Sequence, residues 1–179
     1  MLFRSGKELV HLAMQYLQEF NEANVGLPSL DRNHVVAWVP PFVTRYKVNV
    51  DRAVFVAQKS AGVGVLICDS HGQVVAALSK RINAPLGPLE VEVKAWEEGV
   101  KFAREVGVYD FTLEGDSLVL FNAFSGLSNP PAAVEYVVRG VLMACGSCYK
   151  VDFSQIKRQG NSPAHLLVKY ALGIVDYET

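Results

Sequence analysis

The chain has 179 residues, half of them apolar, which is enough for one domain with a full core and excludes a miniprotein that depends on disulfide staples. Seventeen Lys and Arg against eighteen Asp and Glu leave a formal net charge of −1, which excludes a uniformly basic nucleic-acid binder and requires any such affinity to come from a local patch. No apolar run reaches the length of about 18 residues that a membrane span needs, and Lys7, Glu8, His11 and Gln15 interrupt the place where a signal peptide would be apolar, so the reading is an intracellular protein of nucleus or cytoplasm without a membrane partner.

Residues 6–20 place Leu9, Val10, Leu12, Ala13, Leu17 and Phe20 at helical spacing, which predicts an amphipathic helix able to dock on the domain or on a protein partner. Residues 21–41 are rich in turn formers, with Gly26, Pro28, Asp31, Asn33 and the pair Pro40-Pro41, and read as a linker. The division is therefore 1–43 for helix and linker and 44–179 for the compact domain. Lys47–Phe55, Gly62–Cys68 and Gln73–Ile82 are rich in Val, Ile, Leu and Ala and predict three strands, with Asp69-Ser70-His71-Gly72 as a hairpin turn. Gly87–Val106 switches to helical spacing through Leu89, Val93, Trp96, Val100 and Ala103.

A short strand over Phe111–Glu114, helices over Ser117–Phe124 and Ala132–Ala144, a strand over Tyr149–Ile156 and a helix over Ser162–Ile174 complete the prediction. The order βββαβααβα is an α/β fold with a five-stranded mixed sheet, its first three strands antiparallel, flanked by helices, and right-handed crossovers leave few arrangements for it. Cys145-Gly146-Ser147-Cys148 is formally a CxxC pair, but a zinc ribbon needs a second pair and Gly146 reads as a helix C-terminal residue.

Four positions stand out chemically. Asp51 interrupts an apolar strand, where it either ligates a metal or marks the strand's end. Glu90 and Glu92 compete for one role; at about 100° per residue Glu92 borders the apolar stripe and Glu90 lies on the flank with Lys94, Glu97 and Lys101. Glu92 also reads simply as a first-turn Glu favoured by the helix dipole. Asp116, between a strand and a helix, is a natural N-cap and stands where α/β sheets place ligands. His165 opens the last helix, and Lys157 and Arg158 before it form a basic pair that either contacts phosphate or is simply solvated.

The order of Asp51, Glu92 (with Gly99 and Val100 after it), Glu114-Gly115-Asp116-Ser117 and Asn161-Ser162-Pro163-Ala164-His165 resembles the ribonuclease H fold, and most closely the ribonuclease H-like "reverse transcriptase-like" domain that plants carry in many copies, a relation with retrotransposon enzymes. The resemblance implies a two-metal nuclease: Asp51, Glu92 and Asp116 would hold Mg²⁺ or Mn²⁺ against the RNA strand of an RNA–DNA hybrid, with His165 as fourth site residue. It also implies that Arg52, Asn161, Lys157 and Arg158 face the substrate, Asn161 doubling as a helix cap.

Two positions depart from the catalytic pattern. Arg52 replaces the Gly of Val-Asp-Gly, where it can block the substrate, pair with Asp51 or touch a phosphate. His165 replaces an Asp, and an imidazole suits Mn²⁺ better than Mg²⁺. The rival reading is a catalytically inactive domain of the same fold that binds a protein or nucleic acid.

Overall fold

In the computed structural model the residues described are 38–179, with His11, Met14, Gln15 and Gln18, which are helical. The rest of the helix and linker expected over 1–37 lies outside the described residues.

Three strands, β1 (Tyr46–Phe55), β2 (Ser60–Cys68) and β3 (Val74–Ile82), form the expected antiparallel meander, with Asp51 opposite Gly64. The turn between β2 and β3 closes on Asp69, whose carboxylate accepts the His71 and Gln73 backbone N–H groups. Helix α1 (Pro88–Glu105) starts where Pro88 fixes φ and where the Glu90 carboxylate accepts the Gly87 N–H at 2.6 Å. It crosses to β4 (Asp110–Gly115), parallel to β1, and after α2 (Leu118–Phe124) and α3 (Glu135–Cys145) comes β5 (Lys150–Gln155), parallel to β4. Helix α4 spans Ser162–Tyr170, shorter than the Ser162–Ile174 expected, because a 3₁₀ turn over Ala171–Gly173 bends the chain back. That return forms a sixth strand that the sequence did not predict, β6 (Tyr177–Glu178), on the edge of β3. The sheet order is β5-β4-β1-β2-β3-β6.

Strand alternation divides the interior in two. Val48 and Val50 of β1, Val63, Val65 and Ile67 of β2, and Phe111 and Leu113 of β4 face α1, α2 and α3 around Trp96 and Val100. On the other face Leu66, Cys68 and Ala77 pack with Leu167 of α4, under Trp38 and Ile156. Two glycines set how closely the helices approach. A Cβ on Gly99 of α1 would fall 2.6 Å from Val50 Cγ1, and one on Gly64 of β2 would fall 2.4 Å from the Ala164 carbonyl of α4.

Backbone atoms cannot swing aside as a side chain can, so Gly64→Ala must lift α4 off the sheet. The expected cost is about 2 kcal/mol or more, by analogy with overpacked cores, read as a fall in the thermal midpoint, with loss of the close approach between β2 and α4 seen in amide hydrogen exchange. An unchanged midpoint would show that α4 is not held by this contact.

Candidate functional site

The parallel pairing of β1 with β4 ends at Asn49 opposite Glu114, and beyond it the two strands separate. Asp51 lies two residues further along β1 and Asp116 two residues beyond Glu114, so both carboxylates sit at the opening. Asp51 is in the middle of β1, 3% exposed, and is not a strand-end turn residue. Glu92 comes from the first turns of α1, buried at 5%, while Glu90 is exposed and occupied as the helix cap, as the helical geometry predicted. Asp116 is half-buried and does not cap α2; Ser117 does, its hydroxyl accepting the Leu120 N–H. The strand runs through Gly115, where a Cβ would fall 2.9 Å from the Trp96 indole, itself stacked on Phe124 at 4.9 Å, and the cap falls at Ser117.

Each buried carboxylate has a basic partner. Arg52 Nε donates to Glu92 Oε2 at 2.6 Å, and His165 Nδ1 lies 2.7 Å from Asp51 Oδ2. Alternation on β1 explains this division: Asp51 follows Lys47 and Asn49 onto the α4 face, and Arg52 follows Val48 and Val50 onto the α1 face. Of the alternatives for Arg52, its side chain pairs with Glu92 rather than with Asp51. Burial pushes the Asp51 carboxyl up, against the lowering effect of the Arg52 backbone N–H and the His165 ring. Burial likewise pushes Glu92 up to about 7, opposed by Arg52 and reinforced by the negative fields of Asp116 and Asp51.

Asn161 stands at the N-cap position of α4, but its side chain makes no cap bond. It is 1% exposed, and its Nδ2 donates to the Val50 carbonyl at 2.7 Å, tying the start of α4 to the strand one residue before Asp51. Lys157 and Arg158 are exposed on the adjoining 3₁₀ turn. A network that the sequence reading missed lies beneath: Trp38 Nε1 donates to Asn49 Oδ1, Asn49 Nδ2 to Glu114 Oε1 and Ser154 Oγ to Glu114 Oε2, with Lys47 Nζ 3.4 Å from Glu114. Its signal in the sequence was the alternation Lys47-Asn49-Asp51, three polar residues on one face of an otherwise apolar strand. Cys145 and Cys148 are free thiols, the former pushed up to about 11 by burial, which is the state of structural cysteines.

The carboxylate chemistry of Asp51, Glu92 and Asp116 suits a hard divalent cation; the arrangement does not. Among the described residues no three His, Cys, Asp or Glu side chains are grouped so as to hold a metal ion, and Glu92 is already neutralised by a guanidinium. Among them, too, no helix is long and apolar enough to cross a membrane.

Residues 49–171 match the family model of the reverse transcriptase-like domain. Solved structures share the fold at low identity. The ribonuclease H1 of the archaeon Halobacterium salinarum NRC-1 is 21% identical with a TM-score of 0.63, covering 72% of this chain and 98% of its own. LC11-RNase H1 in complex with an RNA/DNA hybrid is 17% identical with a TM-score of 0.59, covering 72% and 97%. The foamy viral protease-reverse transcriptase with an RNA/DNA hybrid is 13% identical with a TM-score of 0.55, covering 82% of this chain and 23% of that one. A search of curated proteins finds no match.

The raised Glu92 carboxyl makes stability depend on pH. The unfolded chain gives up this proton near the ordinary value of 4.5 and the folded one near 7, so stability present below 4.5 is lost as pH rises through 7. The wild type should lose on the order of 3 kcal/mol between about pH 5 and about pH 8 through this group alone. Glu92→Gln, which has no proton to lose, should flatten that part of the profile; parallel melting curves for both proteins would refute the assignment.

Proposed function

This chain belongs to the reverse transcriptase-like family, with a ribonuclease H fold, and from that premise we propose that the domain binds RNA–DNA hybrid duplexes at the corner formed by Asp51, Glu92, Asp116 and His165. The observation that supports this reading is the family match over 49–171, which spans the segments carrying Glu92 with its Arg52 partner, Asp51 with its His165 partner, and Asp116. Lys157 and Arg158 supply cations beside the corner: Arg158 is three residues from Asn161, within about 10 Å of chain reach, and Asn161 is fixed to Val50. Two homologous folds, LC11-RNase H1 and the foamy viral enzyme, were each determined with an RNA/DNA hybrid bound. Contacts to phosphates and RNA 2′-hydroxyls across the minor groove fit a chain without overall basic charge, because only a local patch is needed.

A second reading, hydrolysis of the RNA strand with Mg²⁺ or Mn²⁺, is favoured by one observation: the negative charges of Asp116 and Asp51 reach Glu92 and add to the burial that raises its carboxyl. Asp51, Glu92 and Asp116 would be its metal ligands.

Fluorescence anisotropy with an end-labelled hybrid tests the proposal. The wild type should bind, and Lys157→Ala with Arg158→Ala should weaken binding across sequences and reduce the salt-dependence slope by roughly two. Absence of binding by the wild type would end the reading. The same duplex, labelled on the RNA strand and incubated with either ion, separates the two readings: fragments that vanish in Asp51→Asn establish hydrolysis, whereas an intact strand with retained binding leaves a binding domain.

A further inference from the structure

The residues expected to hold a cation stand in an arrangement that a cation does not need. Glu92 is almost wholly buried, with its side chain 6% exposed, and the only cationic side chain in hydrogen-bond contact with it among the described residues is Arg52, which is 33% exposed. Arg52 thus covers the carboxylate from the solvent side. The pair is made through Nε, in an alignment that strand alternation enforces, since Val48, Val50 and Arg52 share the face of β1 that meets α1. On the opposite face Oδ2 of Asp51 is taken by His165. A metal entering here meets a tethered cation on Glu92 Oε2 and an imidazole on Asp51 Oδ2.

We infer that Arg52 decides whether this site accepts a divalent cation: its guanidinium is a tethered counter-charge that holds the wild-type corner closed to Mg²⁺ and Mn²⁺. The inference rests on reading the corner as the functional site of the domain. A covalently attached competitor acts at an effective concentration of millimolar order or above, comparable with free Mg²⁺, and it needs no dehydration of a tightly hydrated ion. The planar, permanently charged guanidinium, weakly hydrated, is suited to a carboxylate this deeply buried. Removing it leaves a metal ion to compete for the buried Glu92 with a proton alone.

Mn²⁺ uptake, followed by the loss of the free-ion paramagnetic resonance signal, tests this directly. The wild type and Arg52→Lys should leave the signal unchanged, whereas Arg52→Gln should bind Mn²⁺ at least about tenfold more tightly, and Mn²⁺ should raise the melting midpoint of that variant alone. The double variant R52Q/E92Q should lose the gain. Equal uptake by wild type and Arg52→Gln would overturn the inference. A measurement on the wild type guards against a variant that does not fold: the Arg52 Nε–H resonance should keep its position when Mg²⁺ is added, and a shift or loss of that signal would overturn the inference as well. Neither readout involves nucleic acid, so their failure leaves hybrid binding standing, and a failure of hybrid binding leaves them valid.

Discussion

Alternation along β1 is the constraint on which the rest of the molecule depends. Both faces of this strand are buried, so successive residues must serve two different interiors. Val48 and Val50 pack under α1 while Lys47, Asn49 and Asp51 run beneath α4, and no shift of register by one residue is tolerated, because it would bury Lys47 and Asp51 among valines. The same rule assigns Arg52 to the side of Glu92 and leaves Asp51 to His165. What looks like a chemical choice at the site follows from the geometry of a pleated strand.

Burial of so many charged groups is tolerable because each has a partner of the right kind. Glu114, in the interior, receives Asn49, Ser154 and Lys47, and Asn49 in turn receives Trp38. Arg45 fastens the start of β1 to Asp110 and Asp152 at the starts of β4 and β5 and donates to the Phe111 carbonyl. Such networks are costly when broken and weakly stabilising when intact, so they specify alignment more than they add free energy. Here they fix the three parallel strands in register immediately before the point where β1 and β4 separate.

The element order was legible because the strands of the meander are rich in Val, Ile, Leu and Ala and broken by turn residues, while α1 keeps a spacing of three to four. The choice of Glu92 over Glu90 was legible for the same reason, since a helix of 18 residues presents a definite face. The sixth strand was not, because two residues carry no pattern and are held by the antiparallel edge of β3. Asp116 was misassigned as a cap since Asp and Ser are both good caps and adjacent, and local sequence does not say which of them follows the end of the strand at Gly115. Asn161 was legible as the residue at the start of α4, but its side-chain bond runs to a carbonyl 111 positions away, a relation that local sequence does not express. The partners of Asp51 and Arg52 were hidden for the same reason: alternation gives a direction, and only the packing of α1 and α4 says what waits there.

The bond between His165 and Asp51 joins residues 114 positions apart, and strands β2 to β5 all lie between them. During vectorial synthesis the carboxylate is therefore made long before its imidazole, whereas Arg52, its immediate neighbour, and Glu92 follow much sooner. Domains generally fold as units, so Asp51 acquires its ring partner only once α4 has been made. One carboxylate of the corner thus depends on a partner near it in the chain, and the other on the last helix to be made.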